Sequence, residues 1–330
     1  MQNGHYMTGD GNHHRMVEVD MMGNTIHNWD MLERGYTMHH AISQDKQGNI
    51  LATVSKTSAK IANGKDVRIN DFIIRMDPEK GEILQEWDLV HMLDSARYGM
   101  TDYNLTADPY AQNASNWAHN NGIVEWGNDY LATARYQGIF KFNKAGGIEW
   151  IISPHGYWRD RYLKLLLNPL HADGTPITDP DVIAGTKNCD DFEWPWGCHT
   201  AVPLPNGHIF YFNNGYGRNF KLDFTDRKNV YTCGIEYEVD EVNRTVRQVW
   251  QYGKERGTAY FTPARSGVQY LEQTGNRLIC PGMSNMLSNG NRGARVTEVD
   301  PETQEIVFEL ELEDAIYQRV YRMSLYPDNQ

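Results

Sequence analysis

The stretch "CHTAVPLPNGHIFYF" (198–212), followed by "GIEYEVDEVNRTVRQVWQY" (234–252), decides the fold. The first reads as a β-hairpin bent at Asn206 and Gly207, the second as a hairpin bent between Asp240 and Asn243, each flanked by β-branched and aromatic residues. Two hairpins in tandem make a four-stranded antiparallel unit. The same plan recurs along the chain. The second-hairpin pattern, a strand, an Asp or Asn, a turn and a further strand, appears at 16–31, 72–89, 139–153, 234–252 and 295–312. A first hairpin, built around a Gly with Asn or Asp beside or near it, precedes four of these: "HHAISQDKQGNILATV", "WAHNNGIVEWGNDYLATA", "CHTAVPLPNGHIFYF" and "SGVQYLEQTGNRLIC". Repeats of this kind around a ring are the blades of a β-propeller, so the sequence predicts an all-β propeller of four-stranded antiparallel blades with five countable repeats. The first unit lacks part of its set. The C-terminal "VYRMSLYPDN" is expected to complete a blade with it and close the ring.

Helical signal is sparse. "HMLDSARY" and "YWRDRYLKLLLNP" read as short helices inside two long insertions, roughly 90–116 and 155–198. No linker or second domain is visible, and residues 1–330 read as one β-propeller domain.

Bulk composition bounds the function. The chain has 330 residues, 40% hydrophobic and 22% charged, enough for a full core. Its net charge of −12 argues against a nucleic-acid or anionic-membrane partner, which would be held by surplus Lys and Arg. It holds no apolar run long enough to span a bilayer. The opening "MQNGHYMTGDGNHH" has no apolar stretch that could serve as a signal peptide, so any export signal is expected outside this chain. There are four cysteines and no C-x-x-C pair, which disfavours a zinc ribbon. Cys189 and Cys198 are close enough in sequence to close a small loop, but a pair of free thiols is an equal reading.

The histidines carry the chemistry. His40, His119 and His199 each stand eight residues before the turn glycine of a repeat, Gly48, Gly127 and Gly207. In a propeller the first strand of each blade lines the axis, so one repeat position forms a ring at one height and three imidazoles converge. For a single histidine, a satisfied polar residue near the axis is the better reading; three in matched register weaken it. Asn121, two residues after His119, is expected on the same strand face. Arg135 could bring a fixed positive charge, although its spacing alone favours a solvated rim residue. Three converging histidines suit either a metal site with an open position or a metal-free nucleophile with oxyanion-holding partners. No Asp or Glu lies within two residues of the three.

At "WAHNNGIV", "CHTAVPLPNGHIFYFNNG", "IEYEVDEVNRTVRQVWQYGKERG" and "YFTPARS" the chain resembles the bacterial arylsulfate sulfotransferases, which use an aryl sulfate as donor. The resemblance runs from His40 to about Cys280. It implies a six-bladed propeller, without the family's N-terminal β-sandwich domain, and a periplasmic or secreted address. It also implies ping-pong transfer of a sulfuryl group from a phenolic sulfate ester to a phenolic acceptor through a sulfo-histidine. On it, His199 matches the nucleophile, His119 and Asn121 match an H-x-N pair contacting sulfuryl oxygens, and Arg135 matches a sulfate-binding arginine. His40 matches a further donor-site histidine, with neighbouring His39 as a rival for that position. A disulfide ahead of the nucleophile is a family feature, which favours a Cys189–Cys198 bond.

The chain departs from the family where it places Arg265 at a donor-site threonine position, and where "TCGIEY" stands for S-R-x-x-E-Y. Trp117, Trp194, Trp196 and Tyr260 are candidates to stack on the phenols, with core packing the commoner role for each. No cofactor and no metal are expected. The partners are a small-molecule donor and acceptor, with no nucleic acid, no membrane and a homodimer as one open oligomeric state. The alternatives are a metal-dependent hydrolase of lactonase or phosphatase type, and a non-catalytic binding propeller.

Overall fold

The computed structural model describes residues 1, 3–10, 14–63, 66–97, 117–284 and 293–313. Five antiparallel sheets follow one another along the chain. The first holds β1 (Tyr6–Asp10), β2 (Arg15–Val19) and β3 (Thr25–Asp30); the second β4 (Thr37–Gln44), β5 (Ile50–Asn63), β6 (Asp66–Met76) and β7 (Ile83–Asp88). The third holds β8 (Asn120–Trp126), β9 (Asp129–Ala134), β10 (Gly138–Phe142) and β11 (Ile148–Ile152). The fourth holds β13 (His199–Pro203), β14 (Ile209–Asn213), β15 (Cys233–Asp240) and β16 (Thr245–Tyr252), and the short β12 (Asn168–Leu170) runs parallel to β16 at its edge. The fifth holds β17 (Ser266–Tyr270), β18 (Arg277–Pro281), β19 (Gly293–Val299) and β20 (Ile306–Glu313). Every hairpin read from the sequence is present.

Among the described residues the propeller therefore has five blades, one for each countable repeat. The sixth blade implied by the family resemblance is not among them, because each blade needs its own hairpin set and the sequence supplies five. The "VYRMSLYPDN" segment lies outside the described residues.

Alternation along the strands builds the core. Tyr211 packs with Leu131, Ile139 and Trp150 of the third blade, whereas its neighbours Phe210 and Phe212 pack with Val268 and Ile279 of the fifth. One strand thus feeds two inter-blade layers, and β14 is buried along its whole length. The recurring Asp or Asn of the repeat has a local cause. Asp20, Asp77, Asn143, Asp240 and Asp300 each accept a hydrogen bond from the backbone N–H two residues on, at 2.8–3.1 Å, which fixes the turn between third and fourth strands.

The two expected helices shrink to single turns, α1 (Leu89–Met92) and α2 (Asp160–Leu163). Beyond α2 the chain is drawn into pairing, as Leu167 N–H bonds Ile151 O and β12 joins the fourth sheet. A further helix, α3 (Pro180–Ala184), was missed, although its Asp179 N-cap, first-turn proline and Gly185 in the left-handed region are its sequence signals. Five residues are too short for an apolar period to show. No described helix is long and apolar enough to cross a membrane.

Candidate active site

The first strands of successive blades touch one another, β1 with β4, β4 with β8, β8 with β13 and β13 with β17. They therefore bring equivalent positions together. The His40 and His119 rings lie with centroids 4.5 Å apart and their Nε2 atoms at 3.0 Å. His199 reaches the same cluster, 6.3 Å from His40 between centroids. His40 thus lies near both of the others and is exposed, while His199 is buried. His39 points away from this row: its Nδ1 is 3.1 Å from His40 Nδ1 and its Nε2 is 3.7 Å from the Asp71 carboxylate.

The backbone is unusual at these positions. His40, His119, Thr200 and Arg265 all adopt positive φ, at 24°, 53°, 43° and 61°. A register shift falls beside the site in β4, β8 and β13. Each such conformation costs about 1–3 kcal/mol for a non-glycine residue, and four of them, in or just before four inner strands, mark a place where side-chain direction outweighs local stability. The shift in β8 lies between Asn120 and Gly122, so the two-residue period expected to align Asn121 with His119 is broken there. Asn121 is buried; it donates to Cys198 O at 2.8 Å and accepts from Thr133 Oγ1 at 2.6 Å, fixing the peptide next to His199.

The state of His199 follows from its neighbours. Asn214 donates through Nδ2 to Thr262 O at 2.8 Å, so its Oδ1 faces His199 Nδ1, at 2.6 Å, and also accepts from Ser266 Oγ. Gly197 O is a second acceptor at 3.1 Å from the same nitrogen. Nδ1 therefore carries a proton, and in the neutral ring the lone pair lies on Nε2. Asn214, Ser266 and Thr262 were not singled out in the sequence; the nearest signal was the "NNG" that ends the hairpin.

Arg135 overturns the expectation of a solvated rim charge. Its N–H bonds His119 O at 3.0 Å, which sets it directly across from that histidine, and its side chain is buried. The guanidinium donates to Pro263 O at 2.7 Å and stacks over Tyr216 with 4.5 Å to the centroid. Gly197, with φ of 62°, leaves it room: a Cβ there would come within 3.1 Å of Tyr216 and 3.7 Å of Arg135 Nη1. Burial, then the charges of His40, Arg135 and His199, hold the His119 imidazole well below its usual range, so it is neutral at physiological pH. Arg265 is exposed, its carbonyl taking a hydrogen bond from Gly282 N–H.

One acid reaches the cluster that no local reading of the sequence supplied. Asp71, from β6, is buried and accepts from Asn120 N–H at 2.9 Å and Ser55 Oγ at 3.2 Å, in addition to facing His39.

Two expectations fail. Cys189 and Cys198 do not form a disulfide. The residues between them anchor Trp194 and Trp196 in the core, carrying the Cys198 thiol into a fully buried seam near Ala134 O and leaving Cys189 half-buried beside Asp191. Burial pushes the Cys198 thiol up to about 12. The four candidate stacking aromatics, Trp117, Trp194, Trp196 and Tyr260, are all buried packing residues. Among the described residues, aromatics at the site include Tyr136, edge-on to His119, and Tyr216.

Comparison with known proteins identifies the family of the chain. The arylsulfotransferase (ASST) family model matches residues 1–322. Two curated relatives, both named arylsulfate sulfotransferase AssT, come from Escherichia coli O6:H1 and Lelliottia amnigena; they are 28% and 29% identical, each over 95% of this chain and 57% of the relative. The chain thus spans a little over half the length of the curated relatives it matches. Among solved structures, a streptogramin B lyase aligns with a TM-score of 0.43 at 12% identity, over 95% of this chain and 81% of that one. With the match running through every blade described above, the chain belongs to the arylsulfotransferase family.

Proposed function

We propose that this chain moves a sulfuryl group from a phenolic sulfate ester to a phenolic acceptor by a ping-pong route through a sulfo-histidine on His199. The observation that carries this reading is the His199 ring itself, with Nδ1 held by two acceptors and its nucleophilic nitrogen left to a cluster of two further imidazoles. Sulfuryl transfer should share the loose, in-line transition state of phosphoryl transfer, where positioning and charge do most of the work. His199 Nε2 attacks sulfur, the S–O(aryl) bond breaks, and its electron pair leaves on the phenolate oxygen. His40 supplies the proton to that oxygen. The neutral His119 and the Arg135 guanidinium face the sulfuryl oxygens, Asn121 fixes the peptide ahead of His199, and exposed Arg265 meets the anion at the mouth. An acceptor phenol then returns its proton to His40 and attacks sulfur, and the N–S bond breaks back onto Nε2. Residues 1–330 act as one propeller domain in this reading, and the address is extracytoplasmic, in keeping with a family of bacterial relatives.

Release of nitrophenol from 4-nitrophenyl sulfate, measured with and without added phenol, tests the transfer. Release stimulated by phenol, with one sulfuryl group found on His199 after rapid quench, is the expected result. Release by the wild-type protein that needs no acceptor and leaves no adduct would make the chain a hydrolase instead.

Asp71 enters as the carboxylate that faces His39, whose ring stands against His40, the group that gives its proton to the leaving oxygen. Asp71→Asn is expected to slow transfer from phenyl sulfate, a poor leaving group, about tenfold or more while slowing 4-nitrophenyl sulfate about threefold or less, because only the poor leaving group needs the proton. An equal loss on both donors would reduce Asp71 to a strut holding Asn120.

A further inference from the structure

A second cluster lies away from the histidine row. His171, at the turn after β12, meets Cys189 and Asp191 from the loop that leads into β13, and one donor atom of each lies within 4.8 Å of the others. The Asp191 carboxylate is the shared partner, with Oδ1 3.0 Å from His171 Nδ1 and 3.1 Å from Cys189 Sγ. Its Oδ2 is held by Ala172 N–H at 2.9 Å, so the carboxylate is oriented before any ligand arrives. We propose that His171, Cys189 and Asp191 form a binding site for a borderline divalent cation, of which Zn²⁺ is the representative, with the fourth position open to water.

The donor set is one imidazole, one thiol and one carboxylate, the mixture that suits Zn²⁺ better than the hard cations Mg²⁺ or Ca²⁺. Tetrahedral zinc with bonds of about 2.0–2.3 Å puts its ligand atoms about 3.4–3.6 Å apart, so the two Asp191 contacts, at 3.0 and 3.1 Å, have to open by a few tenths of an ångström, and the His171–Cys189 pair, within 4.8 Å, has to settle at the same spacing. All three side chains are half-buried, which leaves an entry path. Further negative charge stands near them, from exposed Asp173 and Asp190, while the cations Arg247 and Lys187 are engaged by Glu238 and Asp179, each at 2.8 Å. Binding replaces the thiol proton: Cys189–SH gives up H⁺ to solvent as the S–metal bond forms, and His171 bonds through its neutral Nδ1. Burial and the neighbouring Asp191 push the free Cys189 thiol up, and the hydrogen bonds to Asp191 hold that carboxyl down at about 2.

The consequence is mechanical. An ion here would tie the β12 turn to the segment that carries Trp194, Trp196 and Cys198 into His199, clasping that segment without a disulfide.

The test reads the thiol. Cys198, Cys233 and Cys280 are fully buried, so alkylation of the native protein by iodoacetamide reports Cys189 alone, and zinc on the His40, His119 and His199 rings leaves that readout unchanged. Zn²⁺ is expected to slow alkylation of Cys189 about tenfold or more near neutral pH, with the rate restored by chelator and unaffected by Mg²⁺. His171→Ala and Asp191→Asn are each expected to abolish the protection while nitrophenol release is retained. An alkylation rate in the wild-type protein that does not respond to Zn²⁺, or protection undiminished in both variants, would overturn the proposal.

Discussion

His199→Ala is expected to lower sulfuryl transfer by about 10⁴-fold, whatever the leaving group, because a covalent route loses its nucleophile outright. The loss should be in kcat, with donor binding kept by Arg135, His40 and His119, and no sulfuryl adduct should form on the protein. The substitution leaves the neighbours' hydrogen bonds in place: the ring bonds Asn214 and Gly197 O, and Asn214 retains Thr262 O and Ser266 as partners. Steady-state rates with 4-nitrophenyl sulfate and intact mass after quench check both halves. A variant that still transfers within about tenfold of wild type would remove His199 from the nucleophile's role and leave the ring as a binding group.

The second large effect belongs to Arg135. Its charge is buried and fixed by a carbonyl and an aromatic face, so it is aimed before substrate arrives and no reorganisation is needed in the transition state. Arg135→Gln is expected to cost about 10²–10³-fold in kcat, the size seen when one pre-aimed donor is removed from an oxyanion site. It carries a pH signature as well. The Arg135 charge is one of the causes that hold His119 down, so removing it stabilises the imidazolium and raises the His119 pKa. If transfer needs neutral His119, the acid limb of the rate profile then moves to higher pH. A variant with the rate loss and an unmoved acid limb would separate the sulfate-binding role from any influence on His119. Arg135→Lys should recover little, since an ammonium on a flexible stem cannot both stack on Tyr216 and reach Pro263 O.

The arrangement also explains why this site tolerates strain. The positive φ values at His40, His119, Thr200 and Arg265 recur in or just before the inner strands, and the inter-blade layers behind them are closely filled by residues such as Tyr211, Phe210 and Trp150. A packed ring of blades holds the backbone where an isolated hairpin would relax.

Much of this was legible in the sequence, for a reason that applies residue by residue. The hairpins, the Asp or Asn at each third-to-fourth strand turn and the eight-residue interval from His40, His119 and His199 to a glycine are all local, set by alternation and turn chemistry within about twenty residues. Local pattern therefore determined the blade, the number of blades and the three imidazoles. The tertiary structure alone decided what those imidazoles meet. Asp71 reaches Asn120 from another blade, Asn214 reaches Thr262, Asn121 reaches Cys198 O, and Arg135 is buried against Tyr216 and Pro263. The same holds for Cys189, which turns to Asp191 and His171 rather than to Cys198. These contacts cross between segments tens to more than a hundred residues apart, or, as at Cys189, depend on which way a loop turns one side chain. No period or spacing along the chain encodes them; they follow from the angle at which one packed blade meets the next.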